Sequence, residues 1–382
     1  KILHIIRDLS SSTGGPVNAL LGLNEIQLKS GHEVKILSTN FGIKDEITLP
    51  KNIIIEPCNW KRWRYSFKLK KKLKNLIQWS DIVHIHMLWE YPTLLAATTA
   101  RKLKKPFLLR PCGALEDRSL KISNWKKNFY LKIFSKALFN YPCRLHFASD
   151  EEKTNSLKFN IYNSIVINNG IISKAKKNIS QDIFYENFPY LKNKKIILFL
   201  ARVHPIKRPE LAILSFRQIY MKFSDAILVI AGPCEKNYLS KLKGIIKKYQ
   251  IENRVIFTGL LKDDLLYSSY SACNLFIMPS LQESFGISIV EAMAASKPVI
   301  ISKNIAIANS VKKAFAGIIC EDNIEDYSNA LEKLLISNTL QKEMGNNGKN
   351  LQRNIFDWKI ISKQLETAYI EQINECKSNS KF

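Results

Sequence analysis

Short apolar runs rich in β-branched residues alternate along the chain with longer stretches whose apolar positions recur every three or four residues. Residues 2–6, 33–38, 82–86, 107–110 and 145–148 predict strands, and the segments between most of them predict amphipathic helices. A second series starts after residue 190, with strands predicted at 195–201, 226–231, 255–257, 275–278 and 298–302. Parallel strands need crossover connections and helices supply them, so the fold class is α/β, with two Rossmann-like domains. Residues 172–194, rich in Lys, Asn and Ser, read as a linker. The domains are therefore placed at 1–175 and 190–357. Trp358, Ile361, Leu365, Tyr369 and Ile373 lie at helical spacing and predict a closing helix over about 358–376.

Ligands of open α/β sheets bind beyond the carboxyl ends of the strands, so chemistry is expected in the loops there. After the first strand come Asp8 to Thr13 and then Gly14, Gly15 and Pro16 ahead of a helix. Two glycines at a helix start admit an anion, and they equally suit a tight turn with Pro16 in the first helical position. His84 and His86 are expected on opposite faces of their strand, with His86 nearer its carboxyl end. That makes His86 the better site candidate, against the alternative of a packed, hydrogen-bonded histidine. Arg202 and Lys207 flank the loop after the first strand of the second series. They form either a diphosphate clamp or a solvated surface pair. In residues 279–294, Glu283 falls in a loop, Gly286 opens a helix and Glu291 lies two turns on. The amides of Phe285, Gly286 and Ile287 at that helix start suit a phosphate. Neither G-x-G-x-x-G nor the P-loop pattern occurs, which argues against a dehydrogenase or a P-loop NTPase.

These motifs, in this order and with His84-Ile-His86 and Asn169-Gly170 between them, resemble the retaining glycosyltransferases of family 4. The resemblance implies a GT-B fold, with two domains facing across a cleft and the terminal helix packed back on the N-terminal domain. It also implies a nucleotide-diphosphate sugar as donor, bound by the C-terminal domain, and a glycan or lipid-linked acceptor taken by the N-terminal one. Glu283 would then hold sugar hydroxyls and Glu291 the ribose. Arg202 and Lys207 would hold the diphosphate, and His86 would stand beside the reacting sugar. The segments from His84 to Pro92 and from Arg110 to Glu116 are similar to members that build bacterial surface polysaccharides. Ala201 and Arg208 stand where glycines are common, Asn168 where proline is, and Asn274 where aspartate is. Donor catalysis is expected to need no metal or further cofactor, since no D-x-D occurs. A nucleotide-sugar epimerase of the same architecture is the neighbouring alternative.

Charge adds a second theme. The chain carries 58 Lys and Arg against 33 Asp and Glu, a net +25, of which +16 falls in residues 1–175. Such a field favours nucleic acid, acidic lipid or phosphorylated ligands. Residues 61–74 hold eight Lys or Arg with Trp63, Tyr65 and Phe67 interleaved, while Leu69, Leu73, Leu76 and Ile77 form an apolar stripe. The basic face is expected to rest peripherally on the anionic inner leaflet of a membrane. A nucleic-acid partner is not expected, because no RRM, KH, zinc-finger or helix-turn-helix signature accompanies the charge. Seven cysteines are scattered singly, without ligand spacing, and read as reduced thiols. No apolar run approaches the roughly 20 residues of a membrane span, and no leader pattern is present, so a cytoplasmic location is expected.

Overall fold

The computed structural model describes residues 1–10, 13–43, 50–121, 124–159, 161, 163–171, 179–283 and 285–379. Parts of two motifs fall outside these: residues 11 and 12 of the first loop, and Ser284. So does 172–178 of the linker segment.

Seven strands, β1 (Ile2–Asp8), β2 (Val34–Thr39), β3 (Ile53–Glu56), β4 (Ile82–His86), β5 (Phe107–Arg110), β6 (Cys143–Phe147) and β7 (Ser164–Val166), form one sheet. Their order is β3-β2-β1-β4-β5-β6-β7. Six more, β8 (Lys195–Leu200), β9 (Ala226–Ala231), β10 (Val255–Gly259), β11 (Leu275–Met278), β12 (Val299–Ser302) and β13 (Gly317–Cys320), form a second sheet. Its order is β10-β9-β8-β11-β12-β13. Every pairing between these strands is parallel. In both sheets the winding reverses beside the first strand, between β1 and β4 and between β8 and β11. Each reversal opens a crevice at the carboxyl ends, the usual ligand position in this class.

The strands missed by the sequence pattern, β3, β7 and β13, are all sheet edges of three or four residues. Edge strands are covered incompletely, so their hydrophobic signal is short and weak. Ile197, Leu198, Val229, Ile230, Phe276 and Ile277 of the inner strands are wholly buried, as parallel sheets require.

The chain divides into Lys1–Gly170 with the terminal helix Trp358–Asn379, and Ile171–Asp357. The second unit thus begins at Ile171, ahead of the expected residue 190. Much of the expected linker is structured: Asp182–Asn187 is a helix, and Phe184 and Leu191 are fully buried in the second core beside Ile171. A six-residue helix is too short to register as a periodic pattern. The terminal helix packs on the helix Gly15–Lys29, burying Trp358, Ile361, Leu365 and Tyr369. Gly170 permits this, since a Cβ there would lie 2.5 Å from the Trp358 ring. No helix among the described residues is long and apolar enough to cross a membrane.

Candidate functional site

In the second unit, β8 and β11 flank the reversal point, and the loops that leave them are laced together. The Leu281 amide donates to the Ile206 carbonyl at 2.9 Å, and Ser280 Oγ donates to the same oxygen at 3.1 Å. The Val203 amide donates to the Pro233 carbonyl at 2.9 Å, tying in the loop after β9. Gly232 makes this close approach possible: at φ 137° its ideal Cβ would lie 1.8 Å from the Ala201 carbonyl oxygen.

On this scaffold Lys207 Nζ donates to Glu283 Oε1. Their side chains are 18% and 15% exposed, so the pair is reachable by a ligand yet shielded enough for its charges to act strongly. The Glu283 backbone is fixed as well, its carbonyl accepting from the Ala306 amide at 3.2 Å. Arg202 is exposed at the carboxyl end of β8. Arg208 adopts φ 52°, the left-handed conformation that favours glycine, and ion-pairs with Asp322. The glycine preference at this position is thus a backbone requirement that arginine meets at some cost. Asn274 serves the scaffold, its Oδ1 accepting from the Ile196 amide at 2.7 Å.

Gly286, at φ 86°, caps the helix Ile287–Ala294. The amides of its first turn have no acceptor within the helix and carry the positive end of its dipole. Phe285 is buried beneath them, and Ile287 is partly exposed. Glu291 lies in this helix as expected, 8% exposed, and accepts a hydrogen bond from Tyr270 Oη at 2.8 Å. Burial raises its carboxyl to about 7, with the Tyr270 bond pulling the other way. Tyr270 gave no sequence signal, because it reads as one more apolar position of the helix Asp263–Ala272.

In the first unit the reversal point lies between β1 and β4. Asp8 organises the loop after β1, its Oδ1 accepting from Ser10 Oγ and Thr13 Oγ1, both at 2.6 Å. Burial alone would raise this carboxyl, but those hydroxyls with the Arg7 and Arg64 cations hold it below the ordinary carboxylate value. Arg7 also pairs with Glu90 at 2.5 Å, joining the loops after β1 and β4. Gly14 takes φ 67° at the helix start and Gly15 begins the helix, with Pro16 in its first turn.

His86 is 1% exposed. The expectation that His84 and His86 face opposite ways is wrong: residues two apart in a strand share a face, and their ring centroids are 4.3 Å apart. With His4 and His146 from β1 and β6 they form a buried network that brings together three strands far apart in sequence.

Neutrality fixes the direction of every hydrogen in that network. Burial first, and then charged neighbours including Arg110, push His84, His86 and His146 well below the usual histidine value, while burial takes His4 to about 4. The Ile167 carbonyl can only accept, so His146 donates to it from Nε2 at 2.8 Å. His146 Nδ1 must then accept from His84 Nε2 at 3.2 Å, and His84 Nδ1 from Tyr369 Oη at 2.7 Å. The Tyr369 oxygen accepts from Gln27 Nε2 at 3.4 Å, and Gln27 Oε1 accepts from His4 Nε2 at 2.8 Å. His4 Nδ1 finally accepts from His86 Nε2 at 3.0 Å. All four histidines are therefore Nε2–H tautomers, and His86 carries its lone pair on Nδ1. Nitrogen-15 spectra of histidine-labelled protein at pH 6 will show four neutral Nε2–H rings. An Nδ1–H ring or an imidazolium among these four would contradict the network.

Ring nitrogens of His4, His84 and His86 lie within 4.8 Å of one another, close enough for a metal. Strand separation hid this cluster from a reading of local spacing. The network commits five of their six nitrogens, all but His86 Nδ1, to one another and to Gln27, Tyr369 and His146, and the trio brings no carboxylate. Arg110, 3% exposed and donating to Asn169 Oδ1, adds a buried cation nearby. A dication beside that cation would be expensive, and the cluster is a hydrogen-bonded network.

The family model of glycosyl transferases group 1 matches residues 182–351. The second unit carries a glycosyltransferase domain. Lys207, Glu283, Gly286, Glu291 and Arg202 all fall inside it. Over 66% of its length the chain is 28% identical to the alpha-1,3/1,6-mannosyltransferase ALG2 of Dictyostelium discoideum, of which it spans only 60%. An uncharacterised glycosyltransferase of Methanocaldococcus jannaschii is 23% identical across 93% of this chain and 94% of its own. Anabaena Alr3699/HepE, solved in complex with UDP and glucose, shares the fold with a TM-score of 0.77 at 16% identity, covering 97% of this chain and 99% of that one. WaaG, a glycosyltransferase involved in lipopolysaccharide biosynthesis, gives 0.73 at 16% identity, covering 95% and 98%. The architecture is GT-B, two parallel-sheet Rossmann-like units.

Proposed function

We propose that the chain is a family 4 glycosyltransferase that moves a sugar from a nucleoside-diphosphate donor to a glycan or lipid-linked acceptor, with retention of anomeric configuration. The observation that carries this reading is the Lys207–Glu283 pair at the β8/β11 reversal point, beside the capped start of the helix Ile287–Ala294. As the glycosidic bond to the diphosphate breaks, negative charge accumulates on the leaving group. Lys207, Arg202 and the helix-start amides, including those of Gly286 and Ile287, stabilise that charge more than the ground state. These cations take the part a divalent metal plays in other transferases.

Glu283 holds the sugar hydroxyls while keeping Lys207 in place, and Glu291 holds the ribose. In the first unit, His86 at the end of β4 and the Gly14-Gly15 turn are the candidates for contact with the substrates. The likeness to a glycosyltransferase involved in lipopolysaccharide biosynthesis supports a place in cell-surface glycan synthesis, and the basic excess of residues 1–175 supports contact with an anionic membrane at the inner leaflet. Incubation with UDP-, GDP- and ADP-sugars, with and without glycan acceptors, tests the reading. Acceptor-dependent release of one nucleotide, and an unchanged anomeric proton coupling in the product, are expected. Interconversion of the donor sugar without acceptor would instead indicate an epimerase, and an inverted product would refute retention.

A further inference from the structure

The helix Asn124–Phe139 does not bury all of its apolar side chains. Leu131, Leu138 and Phe139 face the core, while Trp125, Phe129 and Ile133 are 72%, 63% and 52% exposed. These three recur every four residues, one above another on the outer face. Lys126, Lys132 and Lys136 are exposed beside them, and the helix contains no acidic residue.

A second exposed patch lies close by. Residues 60–67 form a turn closed by backbone hydrogen bonds between Trp60 and Tyr65 at 3.3 and 3.1 Å, with the Phe67 amide donating to Asn59 Oδ1 at 3.0 Å. This ordered turn presents Trp60 and Phe67, 55% and 74% exposed, among exposed Lys61, Arg62 and Lys68. In the helix Leu69–Trp79 that follows, Leu69, Leu73, Leu76 and Ile77 are buried, which leaves Lys70, Lys71, Lys72 and Lys74 outward. Both patches adjoin one loop: Trp63 Nε1 donates to the Trp89 carbonyl at 3.1 Å, and the Trp89 ring meets Tyr130 at 5.5 Å. Residues 57–80 likewise contain no Asp or Glu.

We infer that these two patches form one membrane-docking surface, with Trp125, Phe129, Ile133, Trp60 and Phe67 entering the headgroup boundary of an anionic bilayer and the surrounding cations meeting its lipid phosphates. Indole and phenyl rings flanked by cations on an acid-free surface match an interface that is apolar below and negative above. A second copy of this chain would set its cations against identical cations, so charge selects the bilayer. The surface deepens the proposed membrane contact and extends it from the basic run to the helix Asn124–Phe139. It also places the docking face at the carboxyl end of β4, the end at which His86 lies.

Sedimentation of the full chain with phosphatidylcholine vesicles, with and without phosphatidylglycerol, tests this. Binding is expected to the anionic vesicles alone. The variant Trp125→Ser/Phe129→Ser/Ile133→Ser should bind them at least about tenfold more weakly. Lys126→Glu/Lys132→Glu should weaken binding about fivefold or more for each charge changed. Both variants should keep the thermal midpoint and the nucleotide affinity of the parent, since none of these residues lies in the glycosyltransferase domain. Absence of binding to anionic vesicles, or equal binding by parent and triple variant, would overturn the inference, whatever the fate of the transfer reading. So would a dimer in sedimentation velocity that the triple variant dissociates.

Discussion

Replacing Lys207 or Glu283 with alanine will lower kcat/KM by about 10² to 10³ while leaving the protein folded. Each of these side chains is the other's partner, so the loss has two sources. Lys207→Ala removes a cation from the departing diphosphate and leaves Glu283 without its counter-ion. Glu283→Ala removes the sugar contact and frees Lys207 to turn away. The double variant should lose much less than the product of the single losses, because one unit has been broken twice. Stability should change by only about 1 kcal/mol, since both groups stay partly hydrated. Steady-state kinetics with thermal melts separates the cases. Two variants with near-parental turnover would contradict the assignment, and loss of folding in both would make the pair structural.

Glu291→Gln should make the protein more stable at pH 8 and poorer at binding donor. The folded carboxyl titrates near 7, against an ordinary value of 4.5. Between those values the folded state binds the extra proton, so the contribution of this group to stability falls as pH rises through the window. At pH 8 the ionised, buried carboxylate costs on the order of 3 kcal/mol relative to the unfolded chain. Glutamine escapes that cost and still accepts from Tyr270, so the variant should gain stability at pH 8 and little at pH 4. Donor affinity should move the other way. In the parent it should rise as pH passes 7 and the carboxylate forms to receive the ribose hydroxyls, and in Glu291→Gln it should be low and flat. Melting temperatures and donor KM across pH 5 to 9 check both halves. A destabilised variant with a parental pH profile would remove Glu291 from the donor site.

Some of this was legible in the chain and some was not, for physical reasons. The inner strands announced themselves because burial on both faces demands unbroken apolar runs, as in 195–200 and 226–231. The edge strands β3, β7 and β13 lack that demand. Glu283, Gly286 and Glu291 stood out because carboxylates and a left-handed glycine around a helix start are chemically unusual. Lys207 was visible as charge, but its pairing with Glu283 depends on strand adjacency across 76 residues. The histidine network was hidden more thoroughly. His4, His84 and His146 each look like isolated polar positions in apolar strands, and only sheet order sets them side by side. Tyr369 and Gln27, which fix the network's direction, read as ordinary helix residues. The stripe of Trp125, Phe129 and Ile133 has the spacing of a core face, and solvent exposure alone shows that it is unburied.

The proposed chemistry requires the cations of the second unit to meet a diphosphate, and calorimetric titration with UDP, GDP and ADP measures that contact without an acceptor. At least one of the three should bind the parent protein, and Arg202→Ala and Lys207→Ala should each weaken it by about tenfold or more. If none binds, or if both variants bind as the parent does, the donor is not held by this loop and the proposed chemistry fails.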